Sequence, residues 1–276
     1  MFKQMALVSL TSLVLAGCAQ THMTQTTATP PSSYTTKDLN EQQIQGLLWM
    51  QKSAEYRALC FQAFNIAHLR VKQALNSDHS KPLAVVVDID ETVMNNLPYQ
   101  AWLVGKNQGY SGKTWQQWVN DEQSTAIPGA LTFLNYAREN GIRIFYITNR
   151  SDKVRQATLN NLKQLGFPDA NNDHLLMKTT TSNKGPRRDK VRDNYDVAVY
   201  MGDNLGDFTQ KFDGKSTVQR SQLANQYKAK WGDEYVVLPN PIYGTWDGAV
   251  LHYRWGANAT QKNELRHQTL NSWHPK

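Results

Sequence analysis

Cysteine and long apolar runs are both scarce in this sequence, and each shortage excludes a class of protein. Only two of the 276 residues are cysteine, at positions 18 and 60, which excludes a disulfide framework and a cysteine-rich zinc module. Beyond the start of the chain, no apolar stretch approaches the roughly 18 residues of a membrane-spanning helix. Charged residues make up 19% and aromatic residues 10% of the chain, a balance that excludes wholesale disorder. The length suffices for one large domain with its own core.

The start of the chain has the pattern of a secretory signal. One positive charge, Lys3, precedes an apolar run over residues 6–15, and two small residues follow it. The run is too short for a mature membrane span, so we predict that residues 1–17 are a signal peptide of an exported protein. Residues 18–40 are rich in Thr, Ser, Pro and Gln, a composition that predicts a flexible tether. The folded domain is then expected over residues 41–276.

A cysteine, Cys18, directly follows the small residues Ala16 and Gly17, and this arrangement resembles the lipobox of bacterial lipoproteins. The resemblance implies cleavage before Cys18, a lipid on that cysteine and attachment to a membrane through it. By resemblance to the sorting rule of such proteins, Ala19 in the next position implies the outer rather than the inner membrane, with the domain outside the cytoplasm. An ordinary signal peptide with an incidental cysteine is the alternative.

Strand-like and helix-like segments alternate along the rest of the chain. The unbroken run of β-branched residues over 83–87 is typical of a strand buried on both faces, as in a parallel sheet. Other strands are predicted at 142–147, 175–177, 197–201 and 235–238, with helices up to about residue 75 and at 128–141, 151–166 and 186–193. The alternation predicts an α/β fold, a Rossmann-like parallel sheet flanked by helices.

An aromatic-rich stretch over residues 95–126 interrupts this alternation. It contains Tyr99, Trp102, Tyr110, Trp115 and Trp118, with several glycines and no strong period. Because it directly follows the first strand, we expect it to lie over the carboxyl end of that strand, where ligands bind in open α/β sheets. The stretch is either a small cap over a substrate or satellite packing of the core.

Polar side chains follow three of the predicted strands. They are Asp88 and Asp90, then Thr148, Asn149 and Arg150, then Asp203 and Asp207. Carboxylates at the end of an apolar strand are costly unless something binds them, and together they form a site of hard oxygen ligands suited to Mg²⁺. Asp203 and Asp207 alone could instead cap a helix. Asn149 and Arg150 either support a phosphate pocket or serve in local capping and surface pairing.

These segments resemble the motifs of a known superfamily. DIDET, ITNR, an intervening lysine and GDNLGDF are similar to the four motifs of the haloacid dehalogenase phosphotransferases. The longer segments VVDIDETVMNNLPY and VYMGDNLGDF resemble the paired signatures of class C non-specific acid phosphatases, bacterial secreted or lipid-anchored enzymes that include 5′-nucleotidases. The resemblance covers roughly residues 41–276. It implies hydrolysis of phosphomonoesters through an aspartyl-phosphate.

The resemblance also implies a role for each residue. Asp88 would be the nucleophile and Asp90 the general acid and base. Lys184 would add a positive charge at the phosphoryl oxygens, with Lys178 as the alternative, and Thr148 would donate a hydrogen bond to the same group.

A divalent cation, Mg²⁺, completes the site that the resemblance implies. Its ligands would be Asp88, the backbone carbonyl of Asp90, and Asp203, while Asp207 would orient the ligands around the metal. The metal would also let several carboxylates stay ionised side by side.

Aromatic residues near such a site fit a flat leaving group, since bases stack on aromatic faces. By similarity to the family, the candidates are Tyr99, Trp115, Trp118 and Tyr243, and nucleoside 5′-monophosphates are the preferred substrates. Lys and Arg are spread along the chain, so a nucleic acid polymer is not an expected partner, and a homodimer is left open. The alternatives are transfer of phosphate to an alcohol, or a lipoprotein that only binds a nucleotide or haem.

Overall fold

The computed structural model describes residues 33–275, and the folded unit begins at Tyr34. The predicted signal peptide, Cys18 and most of the predicted tether lie outside the described residues. The last part of that tether is structured, because helix α1 spans Thr36–Glu41 with Thr35 and Asp38 as its capping box. The buried side chain of Asn40 donates hydrogen bonds to the carbonyls of Leu103, Lys106 and Gln108. The boundary expected at residue 41 was therefore several residues too late.

The centre of the domain is a five-stranded parallel sheet. Its strands are β1 (Leu83–Val87), β4 (Arg143–Ser151), β5 (Leu175–Lys178), β6 (Asp196–Gly202) and β7 (Tyr235–Val237), in the order β5-β4-β1-β6-β7. Val87 at the end of β1 is in register with Tyr146 and Met201 on its neighbours. The carboxyl ends of β1, β4 and β6 therefore meet at one edge of the sheet. The predicted α/β fold is confirmed.

Helices cover both faces of this sheet. After α1 come α2 (Ile44–Lys52), α3 (Ala54–Leu75), α6 (Ala130–Glu139), α7 (Arg155–Gln164), α8 (Gly185–Arg192), α9 (Thr217–Gln226), α10 (Thr245–Val250) and α11 (Ala259–Thr269). In the described part of the chain, none of them has the length and apolar character to cross a membrane. Pro128 does not open α6 as expected, because Gly129, with φ at +91°, is its N-cap.

The expected insertion lies between two short antiparallel strands. These are β2 (Met94–Asn95) and β3 (Thr125–Ala126), and the segment between them forms helices α4 (Leu97–Leu103) and α5 (Gly112–Asn120). We call this segment the cap. Its two ends are paired beside the end of β1, so its aromatic side chains are held close to that edge of the sheet.

Alternate residues of β1 belong to two separate hydrophobic clusters. Val85 and Val87 pack in the larger one with α3 and α6, whereas Ala84 and Val86 pack in the smaller one on the other face. Burial of a valine side chain stabilises the fold by ~1.5–3 kcal/mol. A central strand fixed from both faces holds the residues that follow it in a defined position.

Candidate active site

Asp88 lies directly beyond β1, at the point where three strand ends meet. Its backbone N–H donates to the carbonyl of Met201 at 2.9 Å, so the ladder between β1 and β6 continues through it. Its side chain is 11% exposed. The nucleophile that the motif implies is thus fixed by sheet pairing and open to a small ligand.

Lys184 lies at the N-cap position of α8 and pairs with two carboxylates. Its Nζ is 2.5 Å from Oδ1 of Asp88 and 2.7 Å from Oδ1 of Asp207. The side chain is only 4% exposed. Burial alone would lower the pKa of Lys184, but Asp207 and Asp88 more than offset it and raise that pKa. Lys178, the alternative, ends β5 in register with Ser151.

Three carboxylates form a compact group at this edge. Oxygens of Asp88, Asp203 and Asp207 all lie within 4.8 Å of one another. Burial raises the pKa of Asp88 to about 7, against the attraction of Lys184. Burial, with the neighbouring Asp207 and Asp88, raises the pKa of Asp203 well above its ordinary value. Hard oxygen donors that repel one another fit a divalent cation, and among residues 33–275 a single ammonium, that of Lys184, pairs with this group.

Asp203 and Asp207 are held by separate sets of donors. Asp203 accepts hydrogen bonds from Asn240 at 2.7 Å and from Thr92 at 3.3 Å. Asp207 accepts from the backbone N–H of Asn204 at 2.9 Å. A Cβ at position 202 would collide with the side chain of Asp207, so the glycine there is needed for this close approach. Both carboxylates therefore have fixed orientations before any ligand binds.

Thr148 is fully buried within β4, near the carboxyl end of that strand. Its Oγ1 accepts from the backbone N–H of Arg150 at 3.1 Å, which leaves its hydroxyl proton to be donated. Its carbonyl accepts from Arg187 of α8 at 2.5 Å. Arg187 also donates to Asn149 at 2.7 Å and thereby ties the end of β4 to the start of α8.

Asp90 lies apart from the three-carboxylate group. Its Oδ1 accepts hydrogen bonds from Asn96 at 2.8 Å and from Arg150 at 2.9 Å. Arg150 is buried, which excludes the alternative of surface pairing, and its support of a phosphate pocket stays a prediction. The guanidinium of Arg150 binds the carboxylate of Asp90, which the motif implies is the general acid and base.

Glu91 is a fully buried carboxylate that the sequence did not single out. It adopts a left-handed backbone conformation with φ of +54°. One oxygen accepts from the backbone N–H of Asn96 at 2.6 Å, and the other accepts from the hydroxyl of Tyr243. Burial, with Asp90 and Asp203, raises the pKa of Glu91 well above its ordinary value. Tyr243, whose ring is predicted to contact substrate, thus has its hydroxyl engaged by Glu91.

The aromatic residues of the cap form one connected cluster. Tyr99 is buried, makes an edge contact with Trp115 at 5.1 Å between ring centroids, and has its hydroxyl 3.0 Å from Thr114. Trp118 donates its indole N–H to Asn96 at 2.9 Å. Tyr110, which is not among the predicted substrate contacts, packs against Tyr99 and Trp115 and is 65% exposed. Tyr99 is therefore largely enclosed by its neighbours in the cap, and its contact with substrate stays a prediction.

Comparison with known proteins identifies the family. Residues 3–246 match the model of the HAD superfamily, subfamily IIIB (acid phosphatase), and the chain belongs to that family. The structure is similar to that of the class C acid phosphatase from Bacillus anthracis, with 38% identity and a TM-score of 0.83 over 86% of this chain and 99% of that one. The structure of that enzyme with tungstate bound matches equally well.

Curated relatives are more distant. Acid phosphatase 1 of Solanum lycopersicum is 28% identical over an alignment of 166 positions, and the alignment covers 57% of this chain and 57% of that protein. The chain thus matches little more than half the length of this relative. Both the resemblance of the motifs and the predicted fold class are confirmed by the family and the Bacillus structure.

Proposed function

We propose that this protein hydrolyses phosphomonoesters in two steps through an aspartyl-phosphate on Asp88. The observation that carries the proposal is the buried Lys184, which pairs with Asp88 inside a group of three carboxylates. A phosphomonoester is an anion that a lone carboxylate would repel. Positive charge beside the nucleophile removes that repulsion. Membership of an acid phosphatase family supports the same chemistry.

In the first step the phosphoryl group moves from the substrate to Asp88. Lys184 and the hydroxyl of Thr148 bind its oxygens while an oxygen of Asp88 forms the new P–O bond. The bond to the leaving oxygen breaks with its electron pair on that oxygen. Asp90 donates the proton that this oxygen takes up.

In the second step water breaks the acyl-phosphate. Asp90, now ionised, accepts a proton from the attacking water, whose oxygen forms a bond to phosphorus. The bond from phosphorus to Asp88 breaks, the carboxylate is restored and inorganic phosphate leaves. Lys184 binds the phosphoryl oxygens throughout.

We propose Mg²⁺ as the cofactor. Asp88, Asp203 and the backbone carbonyl of Asp90 would hold it, and Asp207 would orient this set. When bound, the ion supplies positive charge that neutralises the phosphoryl oxygens. Two observations support a divalent cation at this place: the three carboxylates lie close together, and burial with repulsion from neighbouring carboxylates raises the pKa values of Asp88 and Asp203.

Nucleoside 5′-monophosphates are the proposed substrates. The cap aromatics, above all Trp115 beside Arg150 and the exposed Tyr110, provide faces on which a base can stack at ~1–3 kcal/mol. The test is release of inorganic phosphate from nucleotides, aryl phosphates and sugar phosphates, before and after removal of divalent metal. Activity in the chelated, metal-free protein would contradict the metal assignment, and no release from any monoester would contradict the function.

Lipid attachment at Cys18 in the outer membrane is also a proposal. It is supported by the Leu-Ala-Gly-Cys segment, which lies outside the described residues. Cys18→Ser should leave the precursor uncleaved and without lipid. A variant that is cleaved and still fractionates with membranes would show that another feature anchors the protein. A single acyl chain anchors only marginally, so firm attachment requires more than one.

A further inference from the structure

Asp90 is held at one of its two oxygens. Oδ1 accepts from Nδ2 of Asn96 at 2.8 Å, and Nε and Nη2 of Arg150 both lie 2.9 Å from it. Within residues 33–275 no donor binds Oδ2. The carboxylate is 18% exposed, whereas the guanidinium is 1% exposed. The two oxygens therefore differ, since one is engaged by the protein and the other is available to a ligand.

The orientation of Arg150 is fixed on several sides. Nη1 donates to Thr158 at 3.3 Å and Nη2 donates to Oδ1 of Asn96 at 3.1 Å. The centre of the guanidinium lies 5.8 Å from the ring centroid of Trp115 in the cap. A buried arginine with these contacts has little freedom to move. Because the planar guanidinium keeps its charge, it presents the same fork of donors to Asp90 at all times.

Asn96 is fixed by donors from the cap. Its Oδ1 accepts from Nε1 of Trp118 and from Oγ of Ser124, both at 2.9 Å, besides the bond from Arg150. Three donors surround one end of the Asn96 amide, so this end must be the carbonyl oxygen. The NH₂ group must then face Asp90. Its backbone N–H binds Glu91. The cap thus sets the position of the group that holds Asp90.

We propose that Arg150 and Asn96 are positioning residues for Asp90. Because they bind Oδ1, the proton of the acid is carried by Oδ2. They also orient Oδ2 toward the leaving group. In the first step that proton moves from Oδ2 to the leaving oxygen while the P–O bond breaks. This inference rests on the proposed function and extends it, since it assigns to two residues a role that the motifs alone do not give.

The consequence is a dependence on the leaving group. An alkoxide is a poor leaving group and needs the proton, whereas a nitrophenolate leaves without one. General acid catalysis is typically worth about 10²–10⁴-fold, so a misplaced acid loses part of that factor for alkyl esters only. The constant kcat/KM reports the steps up to departure of the leaving group and is insensitive to the later hydrolysis of the phosphoenzyme.

The test compares kcat/KM for glycerol 2-phosphate and 4-nitrophenyl phosphate in two variants. Arg150→Lys keeps the positive charge but loses the pair of guanidinium N–H donors. Asn96→Asp keeps the oxygen that accepts from Trp118 and Ser124 but loses the NH₂ group that donates to Asp90. In each variant we expect kcat/KM to fall about 10–100-fold for the alkyl ester and less than about threefold for the aryl ester. Arg143→Lys, the same substitution at another arginine of β4 that pairs with Asp169 instead of Asp90, should leave the ratio of the two substrates unchanged.

Several results would overturn the inference. An equal fall of kcat/KM for both substrates would mean that Arg150 and Asn96 only support the fold. An unchanged kcat/KM for both would mean that they do not position Asp90. Because Asn96→Asp is nearly isosteric and keeps three of its contacts, it provides the measurement even if Arg150→Lys does not fold. Failure of the proposed function is distinguishable, since the unmodified protein would then release phosphate from neither substrate.

Discussion

Removal of the proposed nucleophile should make the metal-free protein more stable. Asp88 is ionised at neutral pH only at a cost, because it lies beside Asp203 and Asp207 in a buried place. Asp88→Asn keeps the shape of the side chain and removes one of the three negative charges. Lys184 keeps its ion pair with Asp207 at 2.7 Å. Functional sites commonly hold such unfavourable arrangements at the expense of stability.

The size of the effect follows from the pKa of Asp88, which burial raises from 3.8 to about 7. Between those values the folded state binds the proton more tightly than the unfolded state does, so the contribution of Asp88 to stability falls as the pH rises. Three pH units correspond to at most about 4 kcal/mol. The free energies of unfolding of the two proteins should therefore be nearly equal at pH 4 and diverge up to pH 7, with Asp88→Asn the more stable.

Urea unfolding in the presence of a chelator, from pH 4 to pH 8, measures this difference. Asp173→Asn removes an exposed carboxylate outside the group and controls for the change in net charge. Addition of a divalent cation should make the unmodified protein the more stable of the two, because the cation stabilises it more than it stabilises Asp88→Asn. The reasoning is refuted if Asp88→Asn is the less stable protein at pH 8 without metal, or if the gap does not change with pH.

Three further predictions concern the same edge of the sheet. Lys184→Met should destabilise the metal-free protein by about 3–5 kcal/mol in urea, because Asp88 and Asp207 lose their buried partner, and unchanged stability would contradict the ion pairs. Asp203→Asn should weaken divalent metal affinity in calorimetric titration, and an unaltered affinity would remove Asp203 from the metal site. Trp115→Ala and Tyr243→Ala should raise KM for nucleotides more than for glycerol 2-phosphate, whereas equal effects on both substrates would assign these rings to packing.

The sheet was predictable because its signals are local. The run at residues 83–87 is buried on both faces as its composition predicts, and all five strands lie where expected to within a few residues. The helical pattern was less reliable at single positions. Leu59, Ala63 and Val71 recur at helical spacing on α3, yet Leu59 is 40% exposed while Ala63 and Val71 are buried. Spacing alone does not tell which side of a long helix is covered.

Part of the site was predictable for a similar reason. Asp88 and Asp203 directly follow β1 and β6, and Thr148 lies near the end of β4. These three strands are neighbours, and a parallel sheet brings the residues at such strand ends to the same edge. The hydrogen bonds of Arg150, Asn96 and Glu91 were not predicted, because they join residues that are 5 to 152 positions apart in the chain. No periodicity encodes a hydrogen bond between the end of β4 and the start of the cap. Such contacts require the folded structure.

The roles of the two aspartates after β1 are the central claim, and one rapid-mixing experiment with 4-nitrophenyl phosphate tests them. Asp90→Asn should still form the phosphoenzyme, because nitrophenolate needs little protonation, and then stall since no base activates water. The expected trace is a burst of about one nitrophenolate per site followed by slow turnover, and Asp88→Asn should show no burst. Folding and bound metal are checked in both variants. A burst from Asp88→Asn, or a phosphorylated peptide that does not contain residue 88, would contradict the account.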